Sequence, residues 1–319
     1  MPTQTPTVAE RILDRSQRSQ LARLLTRIER DSDRGVDAAL AQLPEPHPDA
    51  WVVGVTGPPG AGKSTLSNAL ATKFRSRGET VGVLAVDPSS PFSGGAVLGD
   101  RVRMMEHLAD DGVFIRSMAS RGELGGLSSA IPQAVTAMLA FGFDWVLVET
   151  VGVGQSEIGV AEHVDTTLLV LTPGMGDSVQ AIKAGVMEIA DILVMNKADR
   201  DGAKESAREL AFTVGHSPLG PDSWIVPVVA TVATAPSGID ELIDALDAHR
   251  RSMVESGVIE VKRGARRVAQ WKLTCQRLWL ERLDHLMATP RGKELDDAVA
   301  SGVLSSYRGA TALIENVEE

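Results

Sequence analysis

The sequence predicts a three-layer α/β domain built on a mostly parallel sheet, with helical extensions at both ends. Three observations carry that prediction. From residue 51 onward, short β-branched runs alternate with stretches of helical periodicity. Most of the runs are apolar almost throughout, as strands buried on both faces must be; a sheet with one wet face would alternate. The helical stretches between them are long enough to serve as crossovers between parallel neighbours.

The elements follow in order. Residues 8–30 place Leu21, Leu24, Leu25 and Ile28 at helical spacing, so an amphipathic helix is expected there. The stretch LPEPHPDA (43–50) then breaks any helix, because each proline restricts itself and its predecessor. Residues 1–45 therefore form an N-terminal extension and residues 46–250 the main domain. Seven strands are expected within it: WVVGVTG, TVGVLAVD, GVFIRSM, WVLVET, TTLLVLTP, ILVMNKAD and WIVPVVAT. Helices over 63–77, 127–141, 203–212 and 239–249 supply the crossovers. Beyond about residue 250 the strands stop, and residues 251–319 read as a helical arm. Within it, Val268, Trp271, Cys275, Leu278, Trp279, Leu283 and Leu286 lie along one helical stripe. Such a stripe is too apolar for water, and packs on the domain or on another subunit.

Composition narrows the class. The 319 residues can bury one large core, and no apolar run approaches the roughly 18 residues a membrane span needs. A formal charge of −10 argues against general nucleic-acid binding. Between Lys262 and Lys293, however, nine basic residues face two acidic ones, a solvated helix face or a contact for an anionic partner or subunit. The single cysteine, Cys275, excludes an internal disulfide, no Cys/His spacing suggests zinc, and the first residues lack a secretory apolar core. A cytoplasmic protein is expected.

GPPGAGKST, made of Gly57, Pro58, Pro59, Gly60, Ala61, Gly62, Lys63, Ser64 and Thr65, fits the phosphate-loop pattern between a strand and a helix. Its glycines allow main-chain N–H groups to curl around phosphate oxygens, and the helix N-terminus adds positive potential. Lys63 is placed for the β- and γ-phosphates, and the Ser64 hydroxyl for Mg2+. NKAD ends a later strand. Its Asp199 can accept from both N1–H and N2–H2 of guanine, and Asn196 can tie the turn back to the phosphate loop, which selects GTP over ATP.

ETVGVGQ raises a third point. Glu149 ends an apolar strand where phosphate-loop proteins carry a Mg2+-linked aspartate, and it can hold a Mg2+-bound water. Gly152 lets the main chain approach the γ-phosphate and sense its presence. Asp87, at another strand end, is a candidate for orienting the attacking water; Asp100, beyond a glycine-rich loop, is a candidate for approaching Mg2+.

Together VTGPPGAGKST, VDPSSPFSGGAVLGDRVRM, RGELGGLS, ETVGVGQSE, GDSVQAIKAGVMEIADI and NKAD resemble the MeaB/ArgK family of P-loop GTPases over roughly residues 51–250. The resemblance implies a GTPase chaperone that gates adenosylcobalamin loading and protects an acyl-CoA mutase such as methylmalonyl-CoA mutase. It also implies a homodimer joined by the C-terminal arm. By motif, Gly57 to Thr65 bind phosphates; Asn196, Lys197 and Asp199 bind guanine; and Ser64, Asp87, Asp100 and Glu149 form the metal and catalytic set with Lys63. GMGDSVQAIKAG resembles a further switch carrying Gln180 and Lys183. One departure stands out. Val232 and Ala233 occupy the place of the family's Ser-Ala pair, so the serine hydroxyl is lost, while guanine O6 can still be met by main-chain N–H groups there. A metal-insertion GTPase and a small-molecule kinase remain as alternatives. The first needs soft or imidazole cargo ligands, and the second an acceptor pocket and no guanine reader.

Overall fold

The computed structural model describes residues 12–30, 36, 39–88, 107, 110–120, 130–150, 159–174, 189–214, 224–235 and 237–315. All seven expected strands form: β1 (Trp51–Thr56), β2 (Val81–Pro88), β3 (Val113–Ser120), β4 (Trp145–Glu149), β5 (Thr166–Leu171), β6 (Ile192–Asn196) and β7 (Val228–Thr231). They make one sheet in the order β3-β2-β4-β1-β5-β6-β7, every pair parallel. β1, β4, β5 and β6 are buried at every residue, which is why their sequences do not alternate.

The helices are α1 (Arg15–Arg30), α2 (Lys63–Ser76), α3 (Ala130–Ala140), α4 (Ala203–Val214), α5 (Ile239–Glu255), α6 (Val258–Met287), α7 (Pro290–Ala300) and α8 (Ser306–Ile314). α2 and α5 cover one face of the sheet, with Leu66, Leu70, Phe74, Leu242 and Leu246 buried against β1, β4 and β5. α1 and α3 cover the other. The chain divides into two compact units, Met1–Glu260 and Val261–Glu319, so the N-terminal helix belongs to the sheet domain. Its Leu21, Leu24, Leu25 and Ile28 are core residues. Arg18 fixes it to the edge strand by donating to the carbonyls of Asp111 and Val113, each at 2.9 Å, so part of that edge is covered.

β7 is shorter than the expected strand. Pro227 has no N–H to give, and its carbonyl accepts from Leu193 just outside the strand. Trp224 turns away instead and donates its indole N–H to the Asp191 carbonyl at 2.7 Å. α6 is one 30-residue helix, longer than the expected stripe. Trp271 and Trp279 on it are 64% and 49% exposed, so no described residue of the chain covers them fully. Among the described residues, no helix is long and apolar enough to cross a membrane.

Carboxylates set the line along which the strands start. The aspartate immediately before β4, β5 or β6 accepts a main-chain N–H from a neighbouring strand's beginning. Asp144 takes Thr80 N–H at 2.8 Å, Asp165 takes Val52 N–H at 3.1 Å and Asp191 takes Thr167 N–H at 2.8 Å. α5 is anchored to the same end. Its buried His249 lies 2.8 Å from the Thr166 hydroxyl, which accepts from the Trp51 indole at 2.8 Å, and the Arg250 guanidinium sits 5.6 Å from the ring centres of both Trp51 and Trp145.

Asp110 joins the end of α2 to the start of β3 by pairing with Arg75 at 2.9 Å. Burial works to raise its pKa, but the hydrogen bonds from Arg75 and from the Gly112 N–H outweigh it and hold the carboxyl below its ordinary 3.8. A depressed carboxylate contributes stability that is complete above the unfolded value and is lost as pH falls through the folded one. Asp110→Asn is therefore expected to be less stable than the native chain at neutral pH, with the gap narrowing below pH 3.8. Urea unfolding across that range checks this; a gap independent of pH would mean that the ionised pair contributes nothing.

Candidate active site

The site forms at the carboxyl ends of β1, β4, β6 and β7. β1 runs into the loop 57–62 and then directly into α2. Gly57 has φ 136°, and a Cβ on it would strike the Val170 carbonyl of β5; Gly62 has φ 91°, and a Cβ on it would strike the Asn196 side-chain nitrogen. These two glycines are thus required by protein neighbours as well as by any phosphate. A Cβ on Gly60 would meet no atom of a described residue. Gly62 caps α2 without a side chain, so the first N–H groups of the helix stay directed into the loop.

Lys63 and Ser64, at the head of α2, are only 6% exposed. The Lys63 ammonium donates to the carbonyls of Gly57 at 2.7 Å and Pro58 at 3.1 Å, partners that a buried charge requires. The Ser64 hydroxyl donates to Glu149 Oε1. Glu149 is the last residue of β4 and lies beside Val55 of β1, so the strand register itself delivers the carboxylate to the head of α2. Thr150 continues the contact, its hydroxyl 3.1 Å from that of Thr56.

Asn196 is the centre of the second half. It ends β6, is 2% exposed, and donates its amide to the Ala61 carbonyl at 2.8 Å. Its oxygen accepts from the Thr231 hydroxyl and the Ala233 N–H, both at 3.2 Å. Lys197 adopts φ 58°, uncommon for a side chain with a Cβ, and donates its ammonium to the Gly60 carbonyl at 2.7 Å. The Ala198 N–H donates to Thr231 O at 3.0 Å and completes the clasp.

A cavity of about 180 Å³ lies beside this clasp, lined by Gly62, Thr65, Asn196, Lys197, Asp199, Arg200, Val232, Ala233 and Thr234. Seven of these were expected from the sequence. Arg200 and Thr234 were not, and their only signal is adjacency to NKAD and to the Val232-Ala233 pair. Asp87 is the penultimate residue of β2, beside Ala119 of β3 and two residues past the rung that joins Ala85 to Glu149. Asp100, Gly152, Gln180 and Lys183 lie outside the described residues.

Ser64 and Glu149 offer hard oxygen donors, as Mg2+ requires. Among the described residues no cluster of three or more His, Cys, Asp or Glu could hold a metal unaided. That donor set suits Mg2+, which is usually held by one or two protein oxygens together with substrate phosphates and water.

A phosphate loop beside a buried serine–carboxylate pair, facing a cavity walled by the N-K-x-D turn, defines a P-loop GTPase. The comparisons agree and narrow it. The family model described as methylmalonyl Co-A mutase-associated GTPase MeaB matches residues 21–287, and the chain belongs to that family. A GTPase-named relative in Pyrococcus abyssi is 42% identical over 307 residues, covering 96% of this chain and 94% of the relative. The mitochondrial methylmalonic aciduria type A homolog of Mus musculus is 37% identical over 276 residues, covering 84% of this chain and 66% of that protein. A crystal structure of a LAO/AO transport system kinase superposes with a TM-score of 0.65 at 27% identity, with both chains fully covered.

Asn196→Ala removes partners from the Ala61 carbonyl, the Ala233 N–H and the Thr231 hydroxyl together. Each buried polar group left unmatched costs roughly 1–3 kcal/mol. The nucleotide-free variant is expected to unfold at clearly lower urea than the native chain; unchanged stability would mean that Asn196 acts on the ligand alone.

Proposed function

We propose that this chain hydrolyses Mg2+-bound GTP to GDP and phosphate, and uses the GTP state to gate adenosylcobalamin loading into an acyl-CoA mutase such as methylmalonyl-CoA mutase and to protect it. The contact of Ser64 with Glu149 at the head of the phosphate-loop helix carries the chemical half. Membership of a mutase-associated GTPase family supports the other half.

In this reading the main-chain N–H groups of residues 57–65 surround the phosphates. Lys63 leaves the carbonyls of Gly57 and Pro58 for the β- and γ-phosphate oxygens, an exchange of one set of acceptors for a better one. Ser64, Glu149, Asp87 and Asp100 are the groups assigned to Mg2+, which when bound neutralises charge on the phosphate oxygens. Asp87 also orients the attacking water. Asn196, Lys197 and Asp199 hold the guanine, with Val232 and Ala233 beside it. Gly152 senses the γ-phosphate, and Gln180 and Lys183 report the nucleotide state to the client.

Glu149→Ala is expected to slow single-turnover phosphate release by roughly a hundredfold, the scale of losing one preorganised transition-state contact. Nucleotide affinity should fall far less, because Lys63 and the loop amides remain. Affinity lost as fully as turnover would assign Glu149 a structural role. Capture of partners on the immobilised GTP-bound chain should return an adenosylcobalamin-dependent mutase; its consistent absence from a lysate known to contain one would refute the client.

The same reading gives α6 the role of joining two copies. Trp271, Leu278 and Trp279 are 64%, 41% and 49% exposed, and burying an aromatic side chain of this size is worth roughly 2–3 kcal/mol. A two-fold pairing would cover both sets at once. Light scattering is expected to find a homodimer for the native chain and a monomer for the Trp271→Glu/Trp279→Glu variant. A native monomer at micromolar concentration would rule this out.

A further inference from the structure

The turn after β7 was expected to offer main-chain donors to guanine O6, yet most of those donors are already engaged. The Val232 N–H donates to Ser237 O at 2.9 Å, the Ala235 N–H to Val232 O at 3.0 Å, and the Ala233 N–H to Asn196 Oδ1 at 3.2 Å. The hydroxyl that a serine would bring is missing at Val232. Only Thr234 of residues 232–235 keeps an N–H without a described acceptor.

Arg200 lies on the wall of the same cavity. Its main chain is fixed by the turn, its N–H donating to Lys197 O at 3.0 Å and its carbonyl accepting from the Ala203 N–H at 3.3 Å. Its side chain is exposed and makes no hydrogen bond or ion pair with a described residue, although acidic neighbours flank it in sequence. The Asp199 carboxylate, also exposed on this wall, likewise has no described partner. One cavity therefore presents an acceptor-only group and a group with five donors, each with its capacity unspent among the described residues.

We propose that Arg200 is a specificity-determining residue of the nucleotide site, its guanidinium donating to guanine O6 while Asp199 accepts from N1–H and N2–H2. The inference rests on the GTP reading above and deepens it. The two side chains match the donor-donor-acceptor edge of guanine and oppose adenine. Adenine carries an amino group where guanine has O6, so it would set donors against the guanidinium and leave the carboxylate without its pair.

The test is calorimetric binding of GDP, 6-thioguanosine diphosphate and inorganic tripolyphosphate to the full chain carrying Arg200→Ala or Arg200→Lys. Arg200→Ala is expected to weaken GDP by roughly tenfold or more, the scale of a hydrogen bond to a charged group. Arg200→Lys should retain part of that affinity. For the 6-thio nucleotide the Arg200→Ala loss should shrink to below about threefold, because sulfur is a weak acceptor. Tripolyphosphate, which has no base, should bind all three proteins alike. Unchanged GDP affinity, or an equal loss for both nucleotides, would overturn the proposal, the first leaving O6 to Thr234 and the second placing Arg200 on the ribose or phosphates. Asp199→Asn measured alongside separates this from the parent reading. If that variant also keeps its GDP affinity, guanine recognition itself fails; if it loses GDP while Arg200→Ala does not, only the O6 contact fails.

Discussion

The side-chain amide of Asn196 meets the phosphate loop through one atom and the turn after β7 through the other. Each contact is buried, so none can be exchanged for water. Much of the surrounding sequence follows from that. Gly62 must lack a Cβ because the amide nitrogen occupies the space a Cβ would need. Lys197 follows Asn196 in a left-handed conformation that brings its ammonium back to the Gly60 carbonyl. The Ala233 N–H is spent on the amide oxygen. Loops that would otherwise be three separate chain reversals behave as one surface, with the cavity beside it.

The other end of the sheet is built differently, and for rigidity. Trp51, Thr166, His249 and Asp191 form a continuous polar contact across the starts of β1, β5 and β6, and Trp224 closes it in a T-shaped contact, its ring centroid 4.9 Å from that of His249. Phe74 stacks on Trp145 at 4.2 Å. α5 thus leaves the Val232–Ser237 bridge at its head and is held at its tail by His249 and Arg250 before the chain enters α6.

Much of the fold was legible because burial on both faces writes itself directly into a parallel strand. The tie from Asn196 to the phosphate loop followed from motif spacing alone. Other features depend on what an element meets in space, which no local pattern records. Proline-rich 43–50 reads as a linker after an N-terminal extension and does not reveal that Leu21 and Leu25 are fully buried in the sheet domain. Pro227 shortened the last strand by removing a donor. On α6 a second apolar row, Leu273, Leu280 and Met287, recurs every seven residues away from the stripe first recognised. Arg200 was invisible because an exposed arginine in a polar turn has no periodicity to break.

Asp144, Asp165 and Asp191 act where the chemistry does not, at the strands' amino ends. In a strand, successive side chains point to opposite faces, so sliding by one residue would exchange its two sides. β4 is only five residues long, and β1 six. Over so short a span, whatever fixes the first rung also fixes the last. The acids at the starting line therefore work as a gauge, read at the far margin as the meeting of Ala85 with Glu149 and of Leu171 with Met195. Loops at the reactive margin can change in length and composition without disturbing that measure, because none of them sets it.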